Sequence, residues 1–187
     1  MSILKIKNFG PFGENKDEKG NLINNGFYEV NISPVTVFIG PQTSGKSTVA
    51  KLYSTFTWSE KALVQGKESY EHFNHEHSSG ECRYYLSYHG IYDYLHDNTD
   101  IEYYGDSVIL GLRENKIFIS KKENNDNYFC PKIMYIPAER NLLTVNETES
   151  DRMTNLLGAF KTFIGRYNLA KKNLLRAVRF LICQYLI

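Results

Sequence analysis

VTVFIGPQTSGKSTVAKL, residues 35 to 52, carries three different signals in a row. Val35 to Ile39 is a short run of β-branched and aromatic residues, the composition of a strand buried on both faces. Gly40 to Ser47 then fits the spacing G-x-x-x-x-G-K-[ST] in full. A helical period follows, because Val49, Leu52, Tyr53 and Phe56 fall at i, i+3, i+4 and i+7. Helix is therefore expected over Ser47 to Val64, with Gly66 as its stop.

The residue types between strand and helix suit one chemistry, a grip on phosphate. Gly40 and Gly45 are expected to permit backbone angles that other residues resist, so that main-chain N–H groups turn toward one anion. A helix starting near Gly45 points its positive end at the same place. Lys46 reaches the β- and γ-phosphates as a point charge, and the Ser47 hydroxyl is placed to ligate Mg²⁺. Gly40, Pro41, Gln42, Thr43, Ser44, Gly45, Lys46, Ser47 and Thr48 together form the expected P-loop, with ATP and Mg²⁺ as ligands and Lys46 as the catalytic candidate.

Outward from this stretch the pattern is α/β. Ser2 to Phe9 alternates apolar and polar residues as a first strand. Gly10 to Gly13 breaks it, and the polar stretch Glu14 to Asn25 reads as a surface loop. Gly26 to Ile32 is a second strand. Beyond the helix, Ile101 to Tyr104, Val108 to Leu112 and Lys116 to Ser120 read as an antiparallel meander, with turns at Gly105-Asp106 and Glu114-Asn115. Lys132 to Ile136 is another apolar strand, and a helical stripe through Leu156, Leu157, Phe160, Phe163, Ile164 and Tyr167 begins near Asp151. The expected organisation is a nucleotide-binding lobe over 1–150, with a mixed sheet and an antiparallel meander, and a C-terminal helical segment over 151–187.

Two strands and a loop ahead of the motif, a β-rich stretch after it, and the segments ILKIKNFGPF (3–12), VTVFIGPQTSGKSTVAKL (35–52) and MYIPAERN (134–141) resemble the ATP-binding lobe of ABC-type ATPases of the SMC and RecF kind. That group includes bacterial AAA-annotated ATPases. The resemblance implies the N-terminal half of a head, ending where a helical insertion begins. No apolar run here ends in the Asp-Glu pair such heads use for hydrolysis, and no signature motif follows residue 140. Hydrolysis is then expected to need a second lobe or a partner, with a homodimer or complementing head lobe implied. Roles in DNA repair or antiphage defence, and contact with nucleic acid, follow from the resemblance alone. Two other readings stay open: a P-loop kinase or other nucleotide-dependent transferase, and a non-hydrolysing ATP-binding fragment, which the apolar end Phe180 to Ile187 favours.

Composition narrows the field further. A net charge of +1 gives no global field toward nucleic acid or acidic membranes, and no segment is long and apolar enough to be a signal peptide or a membrane span. Cys82, Cys130 and Cys183 lack zinc spacing and read as reduced thiols of a cytoplasmic protein. His72, His75 and His77 read as part of a solvated loop rather than a metal site. Glu139 and Arg140 suit either a phosphate or dimer contact or a surface ion pair. Asn8 to Phe12 suits a turn with buried Phe, with proximity to a base as the alternative. Tyr84, Tyr85, Tyr88, Tyr92 and Tyr94 are read as core or interface.

Overall fold

Alternation along Ser2–Lys7 places Ser2, Leu4 and Ile6 on one face and Ile3, Lys5 and Lys7 on the other. This strand, β1, is the seed of the sheet. The computed structural model describes residues 2–70, 86–114, 116–122, 128, 130, 131, 133, 135 and 136, and helical residues 158, 161, 162, 164–170 and 172. The chain forms two compact units, Met1–Ile133 and Met134–Ile187. In the second unit the described residues 164–170 are helical.

The first unit holds β1, β2 (Tyr28–Ile32), α1 (Lys46–Val64), β3 (Asp100–Tyr104), β4 (Val108–Arg113) and β5 (Lys116–Lys121). The five strands form one sheet in the order β2-β1-β3-β4-β5, and every neighbouring pair is antiparallel. The expected meander is present as β3, β4 and β5. The mixed sheet is corrected: among the described residues the sheet is wholly antiparallel. Two further strands were expected, Val35 to Ile39 and Lys132 to Ile136. Residues 36–40 lie outside any strand, and so do the described residues 133, 135 and 136.

Register explains the core. Leu4 sits opposite Val30 and Tyr103, Ile6 opposite Ile101, Tyr103 opposite Leu110, and Ile101 opposite Leu112. These side chains share one face, and α1 covers it with Val49, Leu52, Phe56 and Leu63. Phe56 stacks on Tyr103 with ring centroids 5.8 Å apart. Each fully buried large apolar side chain here contributes about 1.5–3 kcal/mol. The opposite face is charged: Lys5 pairs with Glu29 at 3.5 Å, and Arg113 with Asp100 at 3.2 Å and Glu102 at 2.5 Å.

The helical stripe read from sequence continues past Phe56 to an acid. Glu60 is 2% exposed. Its Oε2 accepts from the Tyr103 hydroxyl at 2.9 Å, and its Oε1 from the Ser107 and Val108 N–H groups at 2.6 and 3.3 Å. The carboxylate thereby satisfies the β3–β4 turn, and Gly105 leaves room for it. Burial, and then the charge of Glu60, push the Tyr103 phenol well above its ordinary range, so it remains a donor. At its other end α1 closes as expected. Gly66 has φ +64; its N–H bonds the Leu63 carbonyl at 3.1 Å, and the Lys67 N–H bonds the Ala62 carbonyl at 2.9 Å. This is a Schellman closure.

Val35 to Ile39 is the second correction. Val35, Val37 and Ile39 are 83%, 75% and 93% exposed, where a doubly buried strand was expected. The turn after β2 directs the segment away from the sheet. The Ser33 N–H donates to Thr36 Oγ1 at 3.0 Å, and the Ser33 hydroxyl donates to the Val35 carbonyl at 2.7 Å. The apolar run therefore reaches the glycine-rich loop without a neighbouring strand in the described sheet.

Candidate functional site

α1 begins at Lys46, directly on the loop. Gly45 is its N-cap, at φ +86, with no capping side chain and no acidic residue in the first turn. The first N–H groups of a helix have no partner within it, and they are usually met by a Ser, Thr, Asp or Asn cap. Here they open on a cavity of about 320 Å³ lined by Thr43, Ser44, Gly45, Lys46, Ser47 and Thr48, with Pro11 and Tyr94 completing the wall. A lysine in the first turn adds positive charge to the positive end of the helix dipole, and no acid in that turn offsets it.

Lys46 folds back over the loop. Its ammonium group donates to the Gly40 carbonyl at 2.9 Å, to the Pro41 carbonyl, and to Ser44 Oγ at 3.1 Å. An ammonium has three donors, and all three are engaged within the loop. The two carbonyl contacts tie the start of the loop to the start of the helix.

The backbone demands differ in part from the sequence reading. Gly45 needs to be glycine twice over. Its φ is positive, and a Cβ there would lie 2.7 Å from Phe12 Cε2 and 3.1 Å from Pro11 Cγ. Gly40, by contrast, does not enter the left-handed region; Thr43 does, at φ +68. The loop's second unusual angle is thus carried by a threonine, whose hydroxyl donates to the Gln42 carbonyl at 2.6 Å. Gly40, Pro41 and Gln42 stay outside the cavity wall, the first two serving it through their carbonyls. Ser47 is exposed and lines the cavity, whereas Thr48 is mostly buried.

Part of the site comes from the turn after β1, where the sequence reading gave proximity to a base only as the alternative. Phe9 and Phe12 exchange backbone hydrogen bonds of 2.8 and 3.0 Å, which makes Gly10-Pro11 a two-residue tip. Gly10 takes φ +54. Asn8 fixes the turn to the segment before β3: its side-chain N–H donates to the Asn98 carbonyl at 3.2 Å, and its carbonyl accepts from the Thr99 hydroxyl at 2.5 Å. The tip presses Pro11 and Phe12 on Gly45. Asn8 to Phe12 is therefore a turn with a buried Phe9, and it also supplies Pro11 to the cavity.

The tyrosines divide. Tyr92 packs on the core, Tyr88 lies edge-on to His89, and Tyr94 faces the cavity. No spacing in the sequence ties position 94 to position 46; only the fold brings them together. Tyr84, Tyr85, His72, His75, His77, Cys82, Cys183, Glu139 and Arg140 lie outside the described residues. Cys130 is exposed, and its sulfur accepts from Gln65 Nε2 at 2.9 Å. Among the described residues no three His, Cys, Asp or Glu side chains gather as a metal site, and no helix is long and apolar enough to cross a membrane. Comparison with protein-family models, with curated proteins and with solved structures found no match.

Proposed function

We propose that the chain binds the phosphate tail of a nucleoside triphosphate, ATP with Mg²⁺, at Thr43 to Thr48. The observation that carries this reading is the start of α1: an uncapped N-terminus of a 19-residue helix, with no acid in its first turn and Lys46 folded onto it. Free amides and a helix dipole converge on one cavity, and an anion is the ligand that satisfies both; Lys46, whose donors are held within the loop, would reach it by exchanging its Ser44 contact. Ser47 fits a role at Mg²⁺, a hard cation that takes oxygen donors and keeps several waters. Its hydroxyl, with phosphate oxygens, would hold the ion.

The described cavity wall contains no carboxylate. Orientation of an attacking water in phosphoryl transfer commonly needs an acidic or amide side chain. The reading is therefore an ATP-binding half of an SMC/RecF-type ATPase head, with hydrolysis completed by a second lobe or a partner. The apolar run Val35 to Ile39 agrees with this: it is exposed and pairs with no described strand, so it offers apolar surface that such a lobe would cover.

Equilibrium titration of Mg-ATP against the native chain and Lys46→Ala tests the proposal, with a melting curve to confirm that the variant is folded. The expected result is binding by the native chain and a loss of at least about tenfold in the variant, the scale of one charge-assisted contact. Equal affinities would defeat it. Turnover of ATP by this chain alone would defeat the assignment of hydrolysis to a second lobe.

A further inference from the structure

We infer that the Tyr94 ring is the surface on which the nucleobase stacks, so that the cavity selects a nucleoside triphosphate over a bare polyphosphate. The inference rests on the phosphate-binding reading above and adds the other end of the ligand.

Among the described residues Tyr94 is the one aromatic side chain in the cavity wall, and it is 38% exposed at the end of the 3₁₀ turn Tyr92–Tyr94. The ring is held in place from behind. Phe9, fully buried, meets it edge-on with centroids 5.8 Å apart at 75°. Gly10 lies against it so closely that a Cβ there would come within 2.5 Å of Tyr94 Cδ2. The Gly10 N–H also donates to the Tyr94 carbonyl at 3.1 Å. Position 10 thus serves the ring as well as the turn, and the same rigid tip carries Pro11 to Gly45. Phosphate cradle and aromatic wall are therefore set at a fixed spacing by one short piece of chain. A ring whose rotamer is already fixed loses little freedom when a base stacks on it.

Stacking is tolerant of base identity because every base has a π face. The wall should therefore favour nucleosides in general, with purines ahead of pyrimidines through their larger rings.

The test titrates Mg-ATP and magnesium tripolyphosphate against the native chain, Tyr94→Phe, Tyr94→Leu and Tyr94→Ala. Tyr94→Leu keeps an apolar body against Gly10 and Phe9 but removes the π face. Expected is native-like ATP affinity for Tyr94→Phe and a loss of about tenfold or more for Tyr94→Leu and Tyr94→Ala. Tripolyphosphate affinity should be unchanged in all three. Unchanged ATP affinity in the leucine and alanine variants would overturn the inference. So would a parallel loss of both ligands, since the ring would then only support the loop. Failure of the native chain to bind either ligand would instead bring down the phosphate-binding reading itself.

Discussion

Gly45→Ala separates two causes that act at one position, and Gly66→Ala supplies the control. Both glycines have positive φ, +86 and +64. Placing alanine in the left-handed region costs about 1–2 kcal/mol, partly offset by the stiffer unfolded chain, so about 1 kcal/mol remains. At Gly66 that is the whole cost, because among the described residues nothing lies within 4 Å of an added Cβ. At Gly45 the new methyl also meets the Phe12 ring, with Cε2 at 2.7 Å, and Pro11 Cγ at 3.1 Å. Phe12 is bonded back to Phe9 through its backbone and packs on Tyr28 with centroids 5.4 Å apart, so it has little room to retreat. Overpacking of this kind adds about 1–3 kcal/mol. The expected loss is therefore about 2–4 kcal/mol for Gly45→Ala against about 1 kcal/mol for Gly66→Ala. Urea unfolding, with midpoints compared at a common slope, reads both. A Gly45→Ala variant no less stable than Gly66→Ala would show that the hairpin tip does not press on the loop, and the account of the cavity wall would fail with it.

Three further outcomes follow from the same geometry. Glu60→Ala should cost about 3–5 kcal/mol in urea unfolding, because it strands the Tyr103 hydroxyl and the Ser107 and Val108 amides in the interior. A loss under about 1 kcal/mol would mean that the β3–β4 turn does not depend on the carboxylate. His89 is buried and its pKa is lowered to about 4, first by burial and then by the charge of Lys51. The unfolded chain takes up the proton near pH 6.5 and the folded chain only near pH 4. This contribution is therefore complete above pH 6.5 and shrinks as pH falls toward 4, by roughly 3 kcal/mol at most. His89→Phe should flatten stability over that window, and an unchanged slope would contradict the burial of a neutral imidazole. Arg113→Ala should cost about 1–2 kcal/mol in urea unfolding, because the guanidinium is 55% exposed but the Asp100 and Glu102 side chains it neutralises are only 21% and 14% exposed; an unchanged midpoint would contradict this.

What the sequence disclosed depended on whether a signal was local. The meander was legible because alternation and turn residues act within a few positions, and β3, β4 and β5 fall within a residue or two of the expected bounds. The helix was legible for the same reason: Val49, Leu52 and Phe56 are buried, and Gly66 does stop it. Val35 to Ile39 was read one step too far. Composition shows that a run is apolar and suits a strand; it does not show which strand stands beside it. Lys46 and Ser47 were legible as a motif, but the division of strain between Gly45 and Thr43 was not, since threonine rarely takes a positive φ. Glu60 and Tyr94 were opaque. A buried acid is anomalous on a helix stripe until the turn at Ser107 and Val108 is seen to need acceptors. An exposed tyrosine means little until the fold sets it beside the start of α1.

The central claim is that the amides at the start of α1 and the Lys46 ammonium group hold a triphosphate. Titration of the ¹⁵N-labelled chain with Mg-ATP, followed through its amide resonances, tests this most directly. The account predicts saturable shifts concentrated at Thr43 to Thr48 that weaken together in Lys46→Ala. Shifts absent from these six amides, or identical in the native chain and the variant, would contradict it.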